Sequence, residues 1–424
     1  MKSGSGQLGA PPLVLRLDTL VSALLFISVA MSFLVIVEPA PYELFVFALG
    51  GALLFTRTRV QPLLGLMLVL VILWLAGGAF ALMPVMSSSD AVTYYGVSAY
   101  MGVTALIFAL ALSEHTAARF ATLKNAYVLA ALIAAGLGIL GYFVGIERFV
   151  QNGRATSTFK DPNVFGPFLI LPCLLLIQDF LYRGFRLGSS LLALIMLLGL
   201  MLSFSRGAWG HFIASTLVMV ALMFWTNKNL AFRLRLIRLS ALSGIGIAAM
   251  VALLLSFSSV GEMFSERANL VNYYDTGEQG RFGTQFKGFM AIFDYPNGLG
   301  PHQYAATFGI DPHNVYLASL YAYGWVGGFA YFTLAVTTLV LGFKGLLVRA
   351  PWQPALIAVY ATYLGVALEG FIIDTDHWRH YFLLMGAVWG LAVASLRQPR
   401  VPPKAPPARC PPRRLEDRAR IAQP

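Results

Sequence analysis

The sequence predicts an all-α integral membrane protein with about twelve transmembrane helices, and three observations support this class. Of the 424 residues, 58% are hydrophobic and 12% are charged, and the mean hydropathy is +0.71. A water-soluble domain with a solvated surface would not reach these values. Apolar runs of about 20 residues, each able to cross a hydrocarbon core about 30 Å thick, recur along the chain. Basic residues are concentrated in alternate loops between those runs.

The apolar runs set the predicted order of transmembrane spans. The first run follows Lys2 and Arg16, and no small-residue cleavage site comes after it, so we expect it to remain as an anchor. The candidate spans cover residues 19–37, 42–55, 62–82, 92–112, 125–145, 162–177, 187–204, 207–225, 240–257, 315–343, 352–373 and 381–396.

These spans predict the division of the chain into domains. We expect a cytoplasmic amino terminus, then the first nine spans, a long outer loop with an amphipathic helix, the last three spans, and a disordered basic cytoplasmic tail. In that order, these parts are residues 1–18, 19–257, 258–312, 313–396 and 397–424.

The alternation of charge predicts the orientation of the spans. By the positive-inside rule, the face that the basic loops share with both termini is cytoplasmic, which requires an even number of spans. The net charge of +11 follows from this placement and does not indicate a nucleic-acid partner. The basic loops contain Arg57 and Arg59, Arg119 and Lys124, Arg183 and Arg186, the cations from Lys228 to Arg238, and Lys344 and Arg349.

A second set of cations is predicted to lie on the outer face, against the usual topological preference. Such cations are candidates for binding an anion, and the alternative is that they are solvated in loops and paired with nearby Asp and Glu. That alternative is stronger for Arg148, Arg267 and Lys287, each taken singly. The set is Arg148, Arg154, Lys160, Arg206, Arg267, Arg281, Lys287 and Arg379.

An amphipathic helix is predicted to begin at Arg281 in the long outer loop. Gly277 and Gly280 precede it, so Arg281 would lie near a helix N-terminus, where free backbone N–H groups and the helix dipole favour an anion such as a diphosphate. The alternative is that the helix merely covers the end of the bundle. The apolar residues that recur at helical spacing are Phe282, Phe286, Phe289, Met290 and Phe293.

His313 follows a Pro- and Gly-rich turn at residues 295–301, which we expect to shape the pocket. Asp311 and Pro312 are expected to cap and begin the next helix, so that His313 falls in its first turn. The positive end of that helix would keep the imidazole neutral and able to act as a general base. The alternative is that His313 anchors the helix at the interface by hydrogen bonding.

Arg206 lies between two apolar runs, in the segment 203–207, with almost no loop to solvate it. Because arginine forms bidentate hydrogen bonds to phosphate oxygens, Arg206 and Arg281 could together hold a diphosphate and stabilise charge on the leaving group. The alternative is a structural salt bridge to Glu38 or Asp90.

A third basic element, Arg154 and Lys160, precedes the sixth span. We predict that Asp161 caps the helix that begins at Pro162.

The last outer loop holds Asp374, Asp376, His377, Arg379 and His380. Two carboxylates and two imidazoles could bind a divalent metal, but their spacing fits no specific metal template. We therefore predict a charged outer rim in which Arg379 pairs with Asp374 or Asp376, and no metal site.

The remaining histidines and cysteines indicate no chemistry. His115, His211 and His302 are left without a role, since a lone histidine near a membrane edge is more often a satisfied polar group than a catalyst. Cys173 and Cys410 have neither disulfide nor metal spacing. The sequence contains no nucleotide-binding Gly-rich loop, which argues against an ATP-driven pump, and no cofactor is predicted.

At these residues the chain resembles the bacterial O-antigen ligase and polymerase superfamily, and specifically the ligase that joins O-antigen to lipid A-core. The similarity covers most of the membrane domain. It rests on Ser205-Arg206-Gly207, Gly280-Arg281 with the helix that ends at Pro296, Gly298-Leu299-Gly300, His313-Asn314, Gly324 and Gly327.

The resemblance implies an inverting, metal-independent glycosyltransferase of GT-C type at the periplasmic face of the Gram-negative inner membrane. Its donor would be a glycan on undecaprenyl diphosphate, its acceptor lipid A-core, and its surroundings membrane lipids. Arg206 and Arg281 would bind the diphosphate, and His313 would activate the acceptor hydroxyl. The candidate substrate-binding residues are Arg154, Lys160, Asn314 and Arg379.

Three other functions remain open at this point. An O-antigen polymerase uses the same donor, and we favour the ligase because the outer elements match it better and the large outer loop is compact. A protein O-oligosaccharyltransferase usually carries an additional soluble outer region. A secondary transporter or lipid flippase would place charges near the bilayer midplane, whereas these border the outer ends of the spans.

Overall fold

The computed structural model describes residues 12–36, 40–56, 61–268, 277 and 280–398. Nearly all regular structure in these ranges is α-helical. The helices are α1 (Pro12–Ala30), α2 (Pro41–Leu54), α3 (Pro62–Leu82), α4 (Ser89–Ser113), α5 (Thr116–Val144), α6 (Pro162–Phe168), α7 (Ile170–Arg183), α8 (Leu187–Leu202), α9 (Arg206–Thr226), α10 (Leu230–Leu255), α11 (Ser258–Ala268), α12 (Arg281–Met290), α13 (Tyr304–Phe308), α14 (Val315–Leu346), α15 (Gln353–Glu369) and α16 (Arg379–Leu396).

The chain is an all-α integral membrane protein, as the composition predicts. Within the described ranges, nine helical segments are long and apolar enough to cross a bilayer, with α6 and α7 counted as one segment. Helices are required there because a hydrocarbon core offers no water to free backbone N–H and C=O groups. Helices α2, α8 and α15 are shorter, at 14, 16 and 17 residues. Each predicted apolar run overlaps a helix, while the number of spans stays a prediction.

The predicted parts of the chain can be compared with these helices. The first helix begins at Pro12, ahead of the boundary predicted between residues 18 and 19. The predicted outer loop 258–312 begins at the first residue of α11 and contains α12 and α13. Residues 1–11, and the basic tail from 399 onward, lie outside the described residues, as do Glu38, Arg57 and Arg59.

The centre of the bundle is formed by α16, which is buried along nearly its whole length, whereas α10 has few buried residues and lies at the edge. Helices α3 and α14 approach very closely at Gly77 and Gly327, where a Cβ on either glycine would collide with the backbone of the other helix. Small residues permit this close approach of helices in a bilayer, where dispersion forces supply much of the packing energy.

A short antiparallel hairpin that the sequence analysis did not predict joins α5 to α6. Its strands are β1 (Val150–Gln151) and β2 (Arg154–Ala155). The turn residues Asn152 and Gly153 have φ angles of 50° and 70°, as a two-residue turn with both centres in the left-handed region requires. The hairpin places Arg154 on its second strand.

Helix α14 is kinked at Gly324, whose φ of 67° and ψ of −179° are not helical. The Pro- and Gly-rich turn predicted at residues 295–301 packs into this kink, and Leu299 N donates to the Tyr321 carbonyl oxygen at 2.8 Å. A Cβ at Gly324 would lie 2.9 Å from the Asn297 carbonyl carbon. The expected close backbone approach is therefore present, but residues 295–301 are absent from the lining of the site cavity described below.

The predicted start of α14 is wrong by three residues. Asn314, rather than Asp311, is the N-cap: its Oδ1 accepts from Tyr316 N and Leu317 N, both at 3.1 Å. His313 therefore precedes the helix and is not in its first turn. Both Asp and Asn are favourable caps, and the bond from Val315 N to the Gly370 carbonyl oxygen at 2.8 Å places the helix start at Val315.

Candidate active site

Four arginines from four different elements line one cavity of about 290 Å³. We call it the arginine cavity. Arg154 comes from β2, Arg206 from the start of α9, Arg267 from the last turn of α11, and Arg281 from the start of α12. Among the described residues that line the cavity, Glu369 is the one acidic residue. Three of these arginines were predicted to bind an anion. For Arg267, taken singly, the alternative of a solvated loop residue was given more weight.

Arg206 is the first residue of α9, directly after the N-cap Ser205, whose side chain accepts from Ala208 N at 3.3 Å. The guanidinium therefore belongs to a helix N-terminus, where free N–H groups and the dipole already favour an anion. Phe204, which also lines the cavity, has a φ of 46°. A bulky side chain in the left-handed region is a local strain of the kind found at functional sites.

Arg154 braces the turn that carries Arg206. Its Nε donates to the Ser203 carbonyl oxygen at 2.9 Å, and its Nη2 donates to Asn163 Oδ1 at 2.8 Å. Asn163 is held in turn by Asp161, whose carboxylate accepts from Asn163 N at 2.7 Å. The predicted cap of α6 by Asp161 is thus confirmed. The Arg154 guanidinium thus connects the hairpin to α6 and to the turn before α9, on one side of the cavity.

Arg281 is the first residue of α12, as predicted, and Gly280 is its N-cap. The helix packs against the protein through its small residues, since the Tyr304 hydroxyl donates to the Thr284 carbonyl oxygen at 2.7 Å and a Cβ at Gly288 would collide with the Tyr304 ring. The opposite face is open: Phe282, Phe286, Phe289, Met290 and Phe293 are between 51% and 78% exposed. The amphipathic pattern is confirmed, with the apolar stripe facing away from the protein.

His313 is coupled to the same region through two contacts. Its Nδ1 lies 3.6 Å from Asp374 Oδ2. Gln285, one turn along α12 from Arg281, donates from Nε2 to the Pro312 carbonyl oxygen at 2.6 Å and to the His313 carbonyl oxygen at 3.4 Å. His313 is not among the cavity's lining residues, but the helix that carries Arg281 holds its backbone.

The backbone of His313 is itself unusual. Its φ of 45° lies in the left-handed region, which costs a non-glycine residue roughly 1 kcal/mol or more. The contacts from Gln285 and the helix cap at Asn314 hold this conformation. The imidazole is therefore directed by the loop and not by a helical turn.

Asp374 titrates near neutrality. Burial raises the pKa of its carboxyl to about 7, and the negative charges of Asp376 and Asp311 act in the same direction. The backbone N–H of Asn314 and the positive charge of Arg281 oppose this rise in pKa. Arg281 is therefore near enough to influence the carboxyl that contacts His313, which links the arginine cavity to the histidine.

Lys160 and Arg379 lie elsewhere, in a second cavity of about 210 Å³ lined largely by apolar and aromatic side chains. We call it the Lys160 cavity. Arg379 Nε donates to Glu43 Oε1 at 3.0 Å. The predicted pairing of Arg379 with Asp374 or Asp376 is not what these contacts show, because Asp374 contacts His313 and Asp376 accepts a hydrogen bond from the Tyr94 hydroxyl.

Comparison with known protein families gives one match. Residues 191–332 match the family model described as O-antigen ligase. This match supports membership of the O-antigen ligase superfamily. No curated protein matches the sequence. The match includes Arg206, Arg267, Arg281 and His313 and supports a ligase- or polymerase-type function in O-antigen processing.

Part of the site lies outside the matched residues. Arg154 comes before it, and Glu369 and Asp374 come after it. Arg154 could have been placed from the Asn152-Gly153 pair, which is a strong signal for a tight hairpin. Glu369 gave no local signal, and Asp374 was predicted as part of a charged rim and not as a partner of His313, because each of the two acids contacts a histidine far away along the chain.

Across the described ranges, no three His, Cys, Asp or Glu side chains are grouped so that they could hold a metal ion. Asn314, a predicted substrate-binding residue, uses its Oδ1 to cap α14. Cys173 is buried inside the bundle, and Cys410 lies outside the described residues.

Proposed function

We propose that this protein is an O-antigen ligase, an inverting GT-C glycosyltransferase that needs no metal. It would transfer a glycan from undecaprenyl diphosphate to lipid A-core at the periplasmic face of the Gram-negative inner membrane. The observation that carries the proposal is the convergence of Arg154, Arg206, Arg267 and Arg281 on one cavity, coupled to His313 and Asp374. The match to the O-antigen ligase family supports the same reaction class.

The cavity has the charge that a diphosphate leaving group needs. Four guanidinium groups supply planar, bidentate donors for phosphate oxygens. Two of them, Arg206 and Arg281, extend from helix N-termini whose backbone N–H groups add to the positive potential. Fixed donors of this kind stabilise negative charge as it develops on the departing phosphate oxygen.

His313 is the proposed general base. In the proposed step, the proton of the acceptor hydroxyl moves to Nε2 of His313, and the hydroxyl oxygen forms a bond to the anomeric carbon. The bond from that carbon to the phosphate oxygen breaks on the opposite side, and its electron pair leaves with undecaprenyl diphosphate. Asp374, 3.6 Å from Nδ1, stabilises the imidazolium that results when its own carboxyl is ionised.

The exposed face of α12 suits a lipid-linked donor. Phe282 lines the arginine cavity, and the other apolar residues of the stripe continue away from it along the helix. An amphipathic helix of this kind lies in the interface between headgroups and acyl chains. The diphosphate could therefore enter beside Arg281 while the polyprenyl chain stays in the bilayer.

The test is a competition between acceptors with the purified full-length chain in nanodiscs. Undecaprenyl diphosphate glycan is supplied with lipid A-core and with a second donor molecule as rival acceptor, in the presence and absence of EDTA. We expect glycan on lipid A-core in both conditions. A lengthened glycan on undecaprenyl diphosphate would instead identify a polymerase, and no transfer to either acceptor would contradict the proposal.

A further inference from the structure

A buried acid borders the arginine cavity without a role in the mechanism above. Glu369 is 4% exposed, yet it lines the cavity, and within the described part of the chain its Oε1 has no hydrogen-bond partner. A Cβ at Gly207 would lie 2.7 Å from Oε1. The carboxyl oxygen is therefore directed at the turn that carries Arg206. A buried polar atom left without a partner costs free energy unless a ligand or water satisfies it.

The other carboxyl oxygen is bound to His211. Glu369 Oε2 lies 2.9 Å from His211 Nδ1, and His211 Nε2 lies 3.0 Å from the Thr362 carbonyl oxygen. The ring fits there because Gly365 has no side chain, since a Cβ at that position would collide with the imidazole. Glycines thus make room for both members of the pair, Gly207 beside Glu369 and Gly365 beside His211.

Hydrogen-bond accounting fixes the charge of the pair. The Thr362 carbonyl can only accept, so His211 Nε2 must carry a hydrogen. A second hydrogen must lie between Nδ1 and Oε2, because two lone pairs cannot face each other at 2.9 Å. The pair is therefore either imidazolium with carboxylate or imidazole with carboxylic acid. Either way its net charge is zero, so it does not repel an anion in the cavity as an isolated carboxylate would.

In both forms Oε1 keeps its lone pairs, because the hydrogen of the pair lies between Oε2 and Nδ1, and Oε1 lies against Gly207, which lines the cavity. We propose that Glu369 Oε1 is a specificity-determining acceptor, which receives a hydrogen bond from an O–H or N–H group of the sugar attached directly to the diphosphate. This inference rests on the proposed function, because it requires the arginines to hold the diphosphate next to that sugar. His211 is a positioning residue that orients the carboxyl group.

Two substitutions at position 369 distinguish a hydrogen-bond acceptor for the sugar from a catalytic base. A glutamine at position 369 can donate from its amide nitrogen to a neutral His211 and still present an oxygen to the cavity. A methionine of similar length presents no acceptor. A recognition role therefore tolerates Glu369→Gln and not Glu369→Met, whereas a role for the ionised carboxylate tolerates neither.

The experiment measures binding of three probes to the full-length protein in nanodiscs: inorganic pyrophosphate, undecaprenyl diphosphate, and undecaprenyl diphosphate that carries one N-acetylhexosamine. For the wild type we expect the sugar to tighten binding about tenfold, a difference of about 1.4 kcal/mol. Glu369→Met should remove this preference and leave the affinity for pyrophosphate unchanged. Glu369→Gln should retain the preference within about threefold.

The outcomes distinguish this inference from the proposed function. If pyrophosphate fails to bind the wild type, the diphosphate site and the role of Glu369 are both contradicted. If pyrophosphate binds but Glu369→Met keeps the sugar preference, the role of Glu369 alone is overturned. Loss of the preference in Glu369→Gln would also overturn it, in favour of an ionised carboxylate. Glu114→Met is the matched control, because Glu114 lies by Arg397, away from this cavity.

Discussion

The arginine cavity and the Lys160 cavity hold their cations in different ways. In the arginine cavity, arginines from four elements line the same space as Glu369, whose carboxyl group is hydrogen-bonded to His211. In the Lys160 cavity, Arg379 is bound to Glu43, and most of the lining is apolar and aromatic. All of these cations belong to the set predicted on the outer face, so membership of that set does not locate an anion site. The anion site is indicated by the arginines that line the same cavity.

The largest expected effect is the loss of glycan transfer when the proposed base, His313, is removed. His313→Ala should lower glycan transfer by about 10³-fold, because the acceptor hydroxyl loses its proton acceptor. Binding of undecaprenyl diphosphate should survive, since the arginines are unaltered. Single-turnover transfer and donor binding are measured on the same preparation, with His115→Ala as the control at an exposed histidine by Asp18. Normal transfer by the His313 variant would remove the base from the account.

The comparison between the cavities is sharpened by removing one arginine from each. Arg206→Ala and Arg281→Ala should each lower kcat/KM for the donor by about 10²-fold, the usual effect of losing one donor to developing negative charge. Arg379→Ala should change it by less than about tenfold and act mainly on thermal stability, because it leaves Glu43 without its guanidinium. Equal losses of kcat/KM in all three variants would abolish the distinction between the cavities.

Substitution of Arg267 tests whether position at the cavity predicts anion binding better than local sequence does. It lines the arginine cavity from α11, so Arg267→Ala should weaken pyrophosphate binding about tenfold. Lys287→Ala is the matched control, because Lys287 lies on α12 but is absent from the lining of that cavity. Titration calorimetry measures both. An identical affinity for the Arg267 variant and the control would place Arg267 among ordinary solvated cations.

The smallest expected effect is on pH dependence. Because the Asp374 carboxyl has a pKa raised to about 7, it ionises as the pH rises through 7 and then stabilises the imidazolium of His313. Transfer should therefore increase several-fold between about pH 6 and pH 8 in the wild type. Asp374→Asn should lose this step, and a profile unchanged by the substitution would assign the step to another group.

The raised pKa of Asp374 also predicts how protein stability depends on pH. Its folded-state pKa lies above the ordinary value, so the folded state holds this proton more tightly, and the stabilisation is lost as the pH rises from about 4 through 7. The melting temperature of Asp374→Asn relative to the wild type should therefore rise over that range.

The fold was predictable because apolar runs act locally. A run such as residues 62–82 specifies a helix without reference to any other part of the chain, and α3 has these bounds. The amphipathic spacing after Arg281 was equally local, and α12 begins there. The hairpin before Arg154 was missed although Asn152-Gly153 signals it. The start of α14 was misplaced because Asp311 and Asn314 are both good caps and only tertiary contacts choose between them.

The candidate site was predictable only in part. Arg154, Arg206 and Arg281 stood out as cations on an unfavoured face, and the structure places all three at one cavity. The partners of the histidines could not be inferred, because His211 and Glu369 are separated by 158 positions in the chain. No periodicity or motif connects positions so distant. The same holds for His313 and Asp374, which meet because α14 and the loop after α15 are joined at Gly370.

The central claim is that the arginine cavity binds the diphosphate of the donor. The most direct test is a cryo-electron microscopy map of the full-length protein in nanodiscs with undecaprenyl diphosphate bound. We predict density for both phosphates within hydrogen-bond distance of Arg206 and Arg281, with the polyprenyl chain leaving beside Phe282. Phosphate density in the Lys160 cavity, next to Lys160 and Arg379, would contradict the account.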